Sequence, residues 1–298
     1  LEAKLIKGRI LKGIGGFYYI QGEDGDVYEC KAKGRFRKEG IKPAPGDKVI
    51  FTPPVQTQGG SIDEILPRKN SLPRPMIANI DLLMIVASAG KPEADLSLID
   101  KLLLYAAYNH VPAAIVLNKI DTVEDAGTIP QEYSKCGAQI LQISAKTGQG
   151  LDQLKELLRG KFTCLAGQSA VGKSTLLNAV APSLGLETGG LSKKTDRGRH
   201  TTRHSELLEL PGLDAVVADT PGFSILECMD IEPEQLREYY PEFAAVTGEC
   251  RFDSCVHDRE PQCAVKKSVA EGIIPEARYT RYLKLLQELI ERREKRYV

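Results

Sequence analysis

Residues Gly167–Thr175 read GQSAVGKST, directly after the apolar run KFTCLA and directly before LLNAV. The pattern G-x-x-x-x-G-K-[ST], placed between a predicted strand and a predicted helix, is a cradle for the phosphates of a nucleoside triphosphate. Gly167 and Gly172 let the backbone turn tightly so that its N–H groups face the anion. The candidate nucleotide contacts are therefore Gly167, Gln168, Ser169, Ala170, Val171, Gly172, Lys173, Ser174 and Thr175. Lys173 offers a positive charge to the β- and γ-phosphates, and Ser174 can coordinate Mg²⁺. A strand–cradle–helix unit of this kind implies a parallel sheet with crossover helices.

Upstream, NKID (Asn118–Asp121) ends the apolar run AAIVL. The Asp121 carboxylate can accept from both N1–H and the 2-amino group of guanine. Adenine offers neither donor, and sites built on such pairs discriminate by about 10⁴–10⁵. SAKTG (Ser144–Gly148) follows the next apolar run, and Ser144, Ala145 and Lys146 match a loop that supports the base through its N–H groups; Asn118 and Lys119 belong to the same candidate set. Downstream, DTPG (Asp219–Gly222) closes the run DAVVA. There Asp219 is positioned to hold Mg²⁺ through a water and Gly222 to sense the γ-phosphate by its N–H. Between cradle and DTPG lies the basic stretch KKTDRGRHTTRHSE, a switch candidate in which Thr201 or Thr202 would reach the Mg²⁺.

Four motifs at strand ends make a GTP site the reading of choice, and their order is unusual. In ordinary GTPases the cradle comes first, whereas here both base motifs precede it, so the sheet is expected to be circularly permuted. Such rewiring costs little when new ends fall in surface turns. Phe223 follows DTPG, and a phenyl ring cannot orient an attacking water. Slow intrinsic hydrolysis is expected, with His200 the candidate catalytic residue that positions the water; a surface histidine in a basic loop is the competing reading.

The first 68 residues alternate short apolar–polar runs (GRILKG, GGFYYIQ, VYECKAKG, KVIFTPP, SIDEILPR) with turn residues, the pattern of a small five-stranded OB-type or SH3-like barrel. Phe17, Tyr18, Tyr19, Tyr28, Lys31, Lys33, Arg35, Phe36 and Arg37 are candidates for a face that binds single-stranded nucleic acid. For Tyr18 or Tyr19 singly, filling the barrel interior is an equal alternative. The expected architecture is multidomain α/β: residues 1–68 an N-terminal OB-type β-barrel, 69–228 a circularly permuted P-loop GTPase core with a mostly parallel sheet, and 229–298 a C-terminal helical zinc-binding domain.

The zinc expectation rests on Cys250, Cys255, His257 and Cys263 in CRFDSCVHDREPQC. Thiolates and imidazole are the ligands Zn²⁺ prefers, and three Cys with one His close a structural tetrahedron. Seven cysteines, an odd number, suit a reducing compartment better than a disulfide framework. With 42% hydrophobic residues the chain can bury a substantial core, yet no run reaches the roughly 18 residues of a membrane span. LEAKLIKGRI lacks the apolar block of a secretory signal, so a cytoplasmic location is expected. Net charge is zero, but Lys plus Arg against Asp plus Glu run 13 to 9 over residues 1–70, 16 to 23 over 71–249 and 11 to 8 over 250–298. Basic ends point weakly to nucleic-acid contact; imbalances this small are more often solvated surface.

With NKID, SAKTG, GQSAVGKSTLLN, GRHTTRH, DTPGF and the Cys/Cys/His/Cys segment in this order, the chain closely resembles the bacterial small ribosomal subunit-dependent GTPase A family over essentially its full length. The resemblance implies an OB-fold N-terminal domain, GTP hydrolysis stimulated by the small ribosomal subunit, contact with its rRNA, and a role in late maturation of that subunit. GTP with Mg²⁺ would be the substrate, one structural Zn²⁺ the cofactor, and a monomer the default. The alternative is an RNA-binding module whose GTP site is a passive switch; a metabolic phosphotransferase is disfavoured by the permuted base motifs.

Overall fold

Side chains on the N-terminal strands alternate between an apolar interior and a polar exterior, and the strands close into a barrel. The computed structural model describes residues 5–55, 59–186, 206–219 and 229–296. Strands β1 (Ile6–Ile14), β2 (Phe17–Gly22) and β3 (Val27–Ala32), helix α1 (Gly34–Lys38), and strands β4 (Lys48–Thr52) and β5 (Gly60–Ile65) make this first unit. The order around the barrel is β1-β2-β3-β5-β4, with β1 antiparallel to β4 and β3 parallel to β5, an OB-type arrangement. Ile10, Ile20, Cys30, Val49, Phe51 and Ile62 fill the interior.

Period-2 alternation settles the aromatic candidates. Tyr18 and Tyr28 pack toward the barrel core, Tyr28 with its ring 5.3 Å from that of Phe51. Phe17 and Tyr19 face outward, beneath the Lys31 and Lys12 ammonium groups at 4.7 and 5.6 Å from the ring centroids. Phe36 does not join the exposed face, because α1 rotates it inward to 4% exposure.

The barrel rests on the second unit at Gly46, where φ is +89° and a Cβ would lie 2.1 Å from the Ala78 carbonyl oxygen, so only glycine fits. The short hairpin β6 (Ser71–Pro73) and β7 (Met76–Ala78) leads into a six-stranded sheet. Its elements in chain order are β8 (Leu82–Ser88), α2 (Leu96–Tyr108), β9 (Ala113–Asn118), α3 (Ile129–Glu132), β10 (Gln139–Gln142), α4 (Leu151–Leu158), β11 (Phe162–Ala166), α5 (Lys173–Val180), β12 (Glu206–Leu210) and β13 (Ala215–Asp219). Strand order is β10-β9-β8-β11-β13-β12, all parallel except β12, which runs antiparallel to β13. Strand β11 sits between β8 and β13 although β9 and β10 intervene in sequence, which is the permutation in structural form.

Every residue of β8 is buried, as expected for a strand covered on both faces. Leu83, Ile85 and Ala87 point into a core shared with α2 and the C-terminal region; Leu82, Met84 and Val86 point into one shared with α4 and α5. Burying each such side chain contributes roughly 1.5–3 kcal/mol.

The C-terminal region carries α6 (Pro241–Ala244), α7 (Ala264–Ala270) and α8 (Glu276–Arg296). Tyr282, Leu285, Leu286 and Leu289 of α8 join the core on the α2 side of the sheet. A buried ionic cluster completes the joint. Arg278 of α8, 2% exposed, donates to Asp100 of α2 at 2.5 Å and to Glu242 of α6 at 2.7 Å, while its guanidinium lies 4.5 Å from the centroid of the Tyr240 ring. Arg281 bridges Asp100 at 2.6 Å and Glu132 at 2.8 Å. Among the described residues no helix is long and apolar enough to cross a membrane.

Removing one partner from a buried ion pair leaves charge without compensation, at a cost of about 3–5 kcal/mol. Arg278→Ala is therefore expected to lower thermal stability strongly. Arg293→Ala, which breaks a partly exposed pair with Glu234, is expected to change it by under about 1 kcal/mol in the same denaturation series.

Candidate nucleotide site and metal centre

Parallel strands direct their carboxyl ends to one edge of the sheet, where ligands of open α/β folds bind. The motifs converge there. NKID leaves the end of β9, SAKTG follows β10, the cradle follows β11, and Asp219 ends β13 beside Leu165 of β11. Asp219 is placed here by its backbone. His200, Thr201, Thr202 and Gly222 lie outside the described residues.

The cradle has the backbone its sequence requires. Gly167 adopts φ +138° and a Cβ there would lie 2.1 Å from the Val86 carbonyl oxygen. Gly172 caps the N-terminus of α5 at φ +95°. Ser174 and Thr175 fall in the first turn of α5, where free N–H groups and the helix dipole favour an anion. The Lys173 ammonium donates to the carbonyl oxygens of Gly167 at 2.9 Å and Gln168 at 2.8 Å, which keeps the cation over the loop.

Asn118, 2% exposed, ties the base motifs to the cradle. Its Nδ2 donates to the Val171 carbonyl at 3.0 Å, and its Oδ1 accepts from the Ala145 N–H at 3.1 Å. Lys119 takes the left-handed conformation at φ +65° and acts as a strut, its ammonium donating to the carbonyls of Lys91 at 2.7 Å and Ala170 at 2.8 Å. The fully buried Ser144 donates from Oγ to Asp121 Oδ1 at 2.7 Å and accepts from the Thr147 N–H at 3.0 Å, so the carboxylate is oriented by a fixed hydroxyl. Lys146 stands exposed beside it.

Two contributors have no motif of their own. The Lys91 carbonyl anchors Lys119, and the Asp95 N–H donates to Gln168 Oε1 at 3.2 Å. Asp95 also caps α2, accepting from the Leu98 N–H at 2.9 Å, a role legible as an acidic residue before SLIDKLLL. Its approach to the cradle depends on strand order and was not legible.

The second cluster brings together Cys250, Cys255, His257 and Cys263, with donor atoms within 4.8 Å of one another and all but Cys250 buried. The three sulfurs lie 3.7, 3.4 and 3.4 Å from His257 Nδ1. His257 sits at φ +63°. The segment is fastened from outside: Arg237 donates to the Cys255 carbonyl at 2.7 Å, Tyr279 to that of His257 at 2.5 Å and Tyr282 to that of Val256 at 2.7 Å. Burial pushes the Cys255 thiol up to about 12 and holds His257 down to about 4. Such a donor set can hold a metal ion.

Comparison with known proteins matches residues 65–229 to the RsgA GTPase family and residues 7–62 to the RsgA N-terminal domain. The small ribosomal subunit biogenesis GTPase RsgA of Ruminiclostridium cellulolyticum is 47% identical over 95% of this chain and 93% of its own length. That of Caldanaerobacter subterraneus is 45% identical over 98% of each. Among solved structures, YjeQ from Thermotoga maritima superposes with a TM-score of 0.81 at 36% identity, covering 96% of this chain and 99% of that one. YloQ, described as a circularly permuted GTPase, does so with a TM-score of 0.78 at 34% identity, covering 97% and 96%.

Because a Cβ on Gly172 would fall 2.6 Å from Asn118 Nδ2, the Gly172→Ala variant is expected to push the amide off its partners. Left-handed strain adds about 1–2 kcal/mol. Guanine-nucleotide affinity measured calorimetrically should fall by about tenfold or more, although neither Asp121 nor Lys173 is touched.

Proposed function

This chain belongs to the RsgA GTPase family and is a GTP hydrolase, and on that premise we propose that its hydrolysis is stimulated by the small ribosomal subunit during late maturation of that particle. The observation that carries the site assignment is the single buried amide of Asn118 joining NKID, SAKTG and the cradle. Asp121, oriented by Ser144, reads guanine. The loop from Gly167 to Thr175 holds the phosphates, with Lys173 exchanging its loop carbonyls for phosphate oxygens. Mg²⁺ bound with GTP neutralises phosphate charge, and Ser174, Asp219 and Thr201 or Thr202 are the residues to hold it. Gly222 senses the γ-phosphate, and His200 positions the attacking water in place of the glutamine that Phe223 replaces.

The metal reading is zinc. A tetrahedron with Zn–S of about 2.3 Å and Zn–N of about 2.0–2.1 Å has a sulfur–nitrogen edge of roughly 3.5 Å. The distances of 3.4, 3.4 and 3.7 Å fall about that edge. Four protein ligands leave no open position, so the ion is structural. The outward Phe17–Lys31 and Tyr19–Lys12 pairs suit contact with rRNA, and residues 1–68, 69–228 and 229–298 are the proposed domains of a monomer acting in the cytoplasm.

The rate of GTP hydrolysis, alone and with small or large ribosomal subunits, tests the reading with ATP as control. A slow basal rate raised selectively by the small subunit is expected; equal rates with and without it would remove the ribosome from the mechanism. Asp121→Asn should lower GTP affinity by at least about 10²-fold and favour xanthosine triphosphate, whose 2-oxo group accepts where guanine donates. His200→Ala is expected to lose subunit-stimulated turnover while keeping GTP affinity.

Zinc analysis should find about one ion per chain, lost in Cys255→Ser together with thermal stability. Since the metal-free Cys255 thiol holds its proton up to about 12, binding must displace it and affinity should rise from about pH 6 to 8. His257, depressed to about 4, is already neutral across that window and adds no slope.

A further inference from the structure

Away from the strand ends, three segments distant in sequence enclose a cavity of about 390 Å³. Phe17 and Tyr18 at the start of β2, Lys42 and Pro45 of the loop before β4, and Pro75 and Met76 of the turn joining β6 and β7 line it. Its walls are laced together. The Ala78 N–H donates to the Pro45 carbonyl at 2.9 Å, and the buried Tyr105 of α2 donates to the Arg74 carbonyl at 3.0 Å. The cavity is thus a preformed slot between barrel and sheet.

Its chemistry is selective. Proline faces, aromatic rings and a thioether line it, Met76 is 38% exposed, and among the described residues Lys42 is the only charged one in the lining. Gly15 and Gly16 also line it, and the space beside each is open. Flat apolar walls with one cation and no carboxylate suit an aromatic group bearing an anionic tail. Lys31 over the Phe17 ring adds positive potential beside the slot. A volume of this size falls in the range of small-ligand sites.

We infer that this slot receives a single unstacked nucleobase of RNA, with Lys42 on its phosphate. The choice of RNA over a free nucleotide rests on the ribosomal partner proposed above. Recognition of this kind takes bases splayed out of a helix and stacks them on side-chain faces.

The test uses the full-length protein and a short single-stranded ribo-oligonucleotide carrying one 4-thiouridine. Photo-crosslinks are expected in the peptides containing Phe17–Tyr18 or Pro75–Met76. Met76→Ala and Lys42→Glu should each weaken binding by about fivefold or more, while Arg159→Glu just after α4, outside the slot's lining, leaves it unchanged. Crosslinks confined to other segments, or equal affinity of Met76→Ala, Lys42→Glu and wild type, would overturn the inference. So would absence of oligonucleotide binding with a photoreactive group at position 76 capturing a ribosomal protein instead. Subunit-stimulated GTP hydrolysis, measured on the same preparations, keeps the two readings apart. Stimulation retained with no slot binding sinks the slot alone, and stimulation absent in wild type sinks the ribosomal role.

Discussion

One side-chain amide holds the candidate nucleotide site together. Asn118 is buried where three loops meet, and its two ends are spent on the cradle and on the loop after β10. A buried amide group left without a partner costs about 1–3 kcal/mol, so these loops cannot drift apart independently. Gly172 must lack a side chain because the amide occupies the space a Cβ would need. Lys119 braces the same loops through carbonyls on two sides. None of these contacts depends on chain order. They need only that β10, β9, β8 and β11 lie side by side, which is why permuting the sequence leaves the site intact.

Helix α2 is the element through which the rest of the molecule touches this site. At its N-terminus Asp95 meets Gln168 of the cradle, and one turn later Asp100 takes Arg278 and Arg281 of α8. The desolvated charges demand defined geometry from α2, α6 and α8 together. Tyr279 and Tyr282, from the same face of α8, fasten the backbone of the Cys/His segment. The Cys/His cluster and the candidate nucleotide site are therefore joined by packed helices.

Much of this was legible beforehand because it is local chemistry. Strands β9, β11 and β13 announce themselves as apolar runs ending in NKID, GQSAVGKST and DTPG, β8 as the apolar run IDLLMIVAS, and the five barrel strands as alternating runs cut by turns. The Cys/His ligands are spaced closely enough to be grouped by eye. Phe36 does not belong to the exposed face because it sits in a five-residue helix, and a single helical turn has too little periodicity to be read from sequence. Between Tyr18 and Tyr19 the sequence does not choose, because alternation gives which neighbours differ in direction but not which one faces the core.

The sequence by itself determined the nucleotide motifs, their permuted order, the parallel sheet they imply and the four residues of the Cys/His cluster, since each rests on residue types at short spacing. Only the tertiary structure decided the partners of Asn118 and Lys119, the meeting of Asp95 with Gln168, the buried cluster around Arg278 and the slot between barrel and sheet. Those join residues tens to hundreds of positions apart, and their energies come from burial and hydrogen bonding that exist only once strand order and helix packing have brought the groups together.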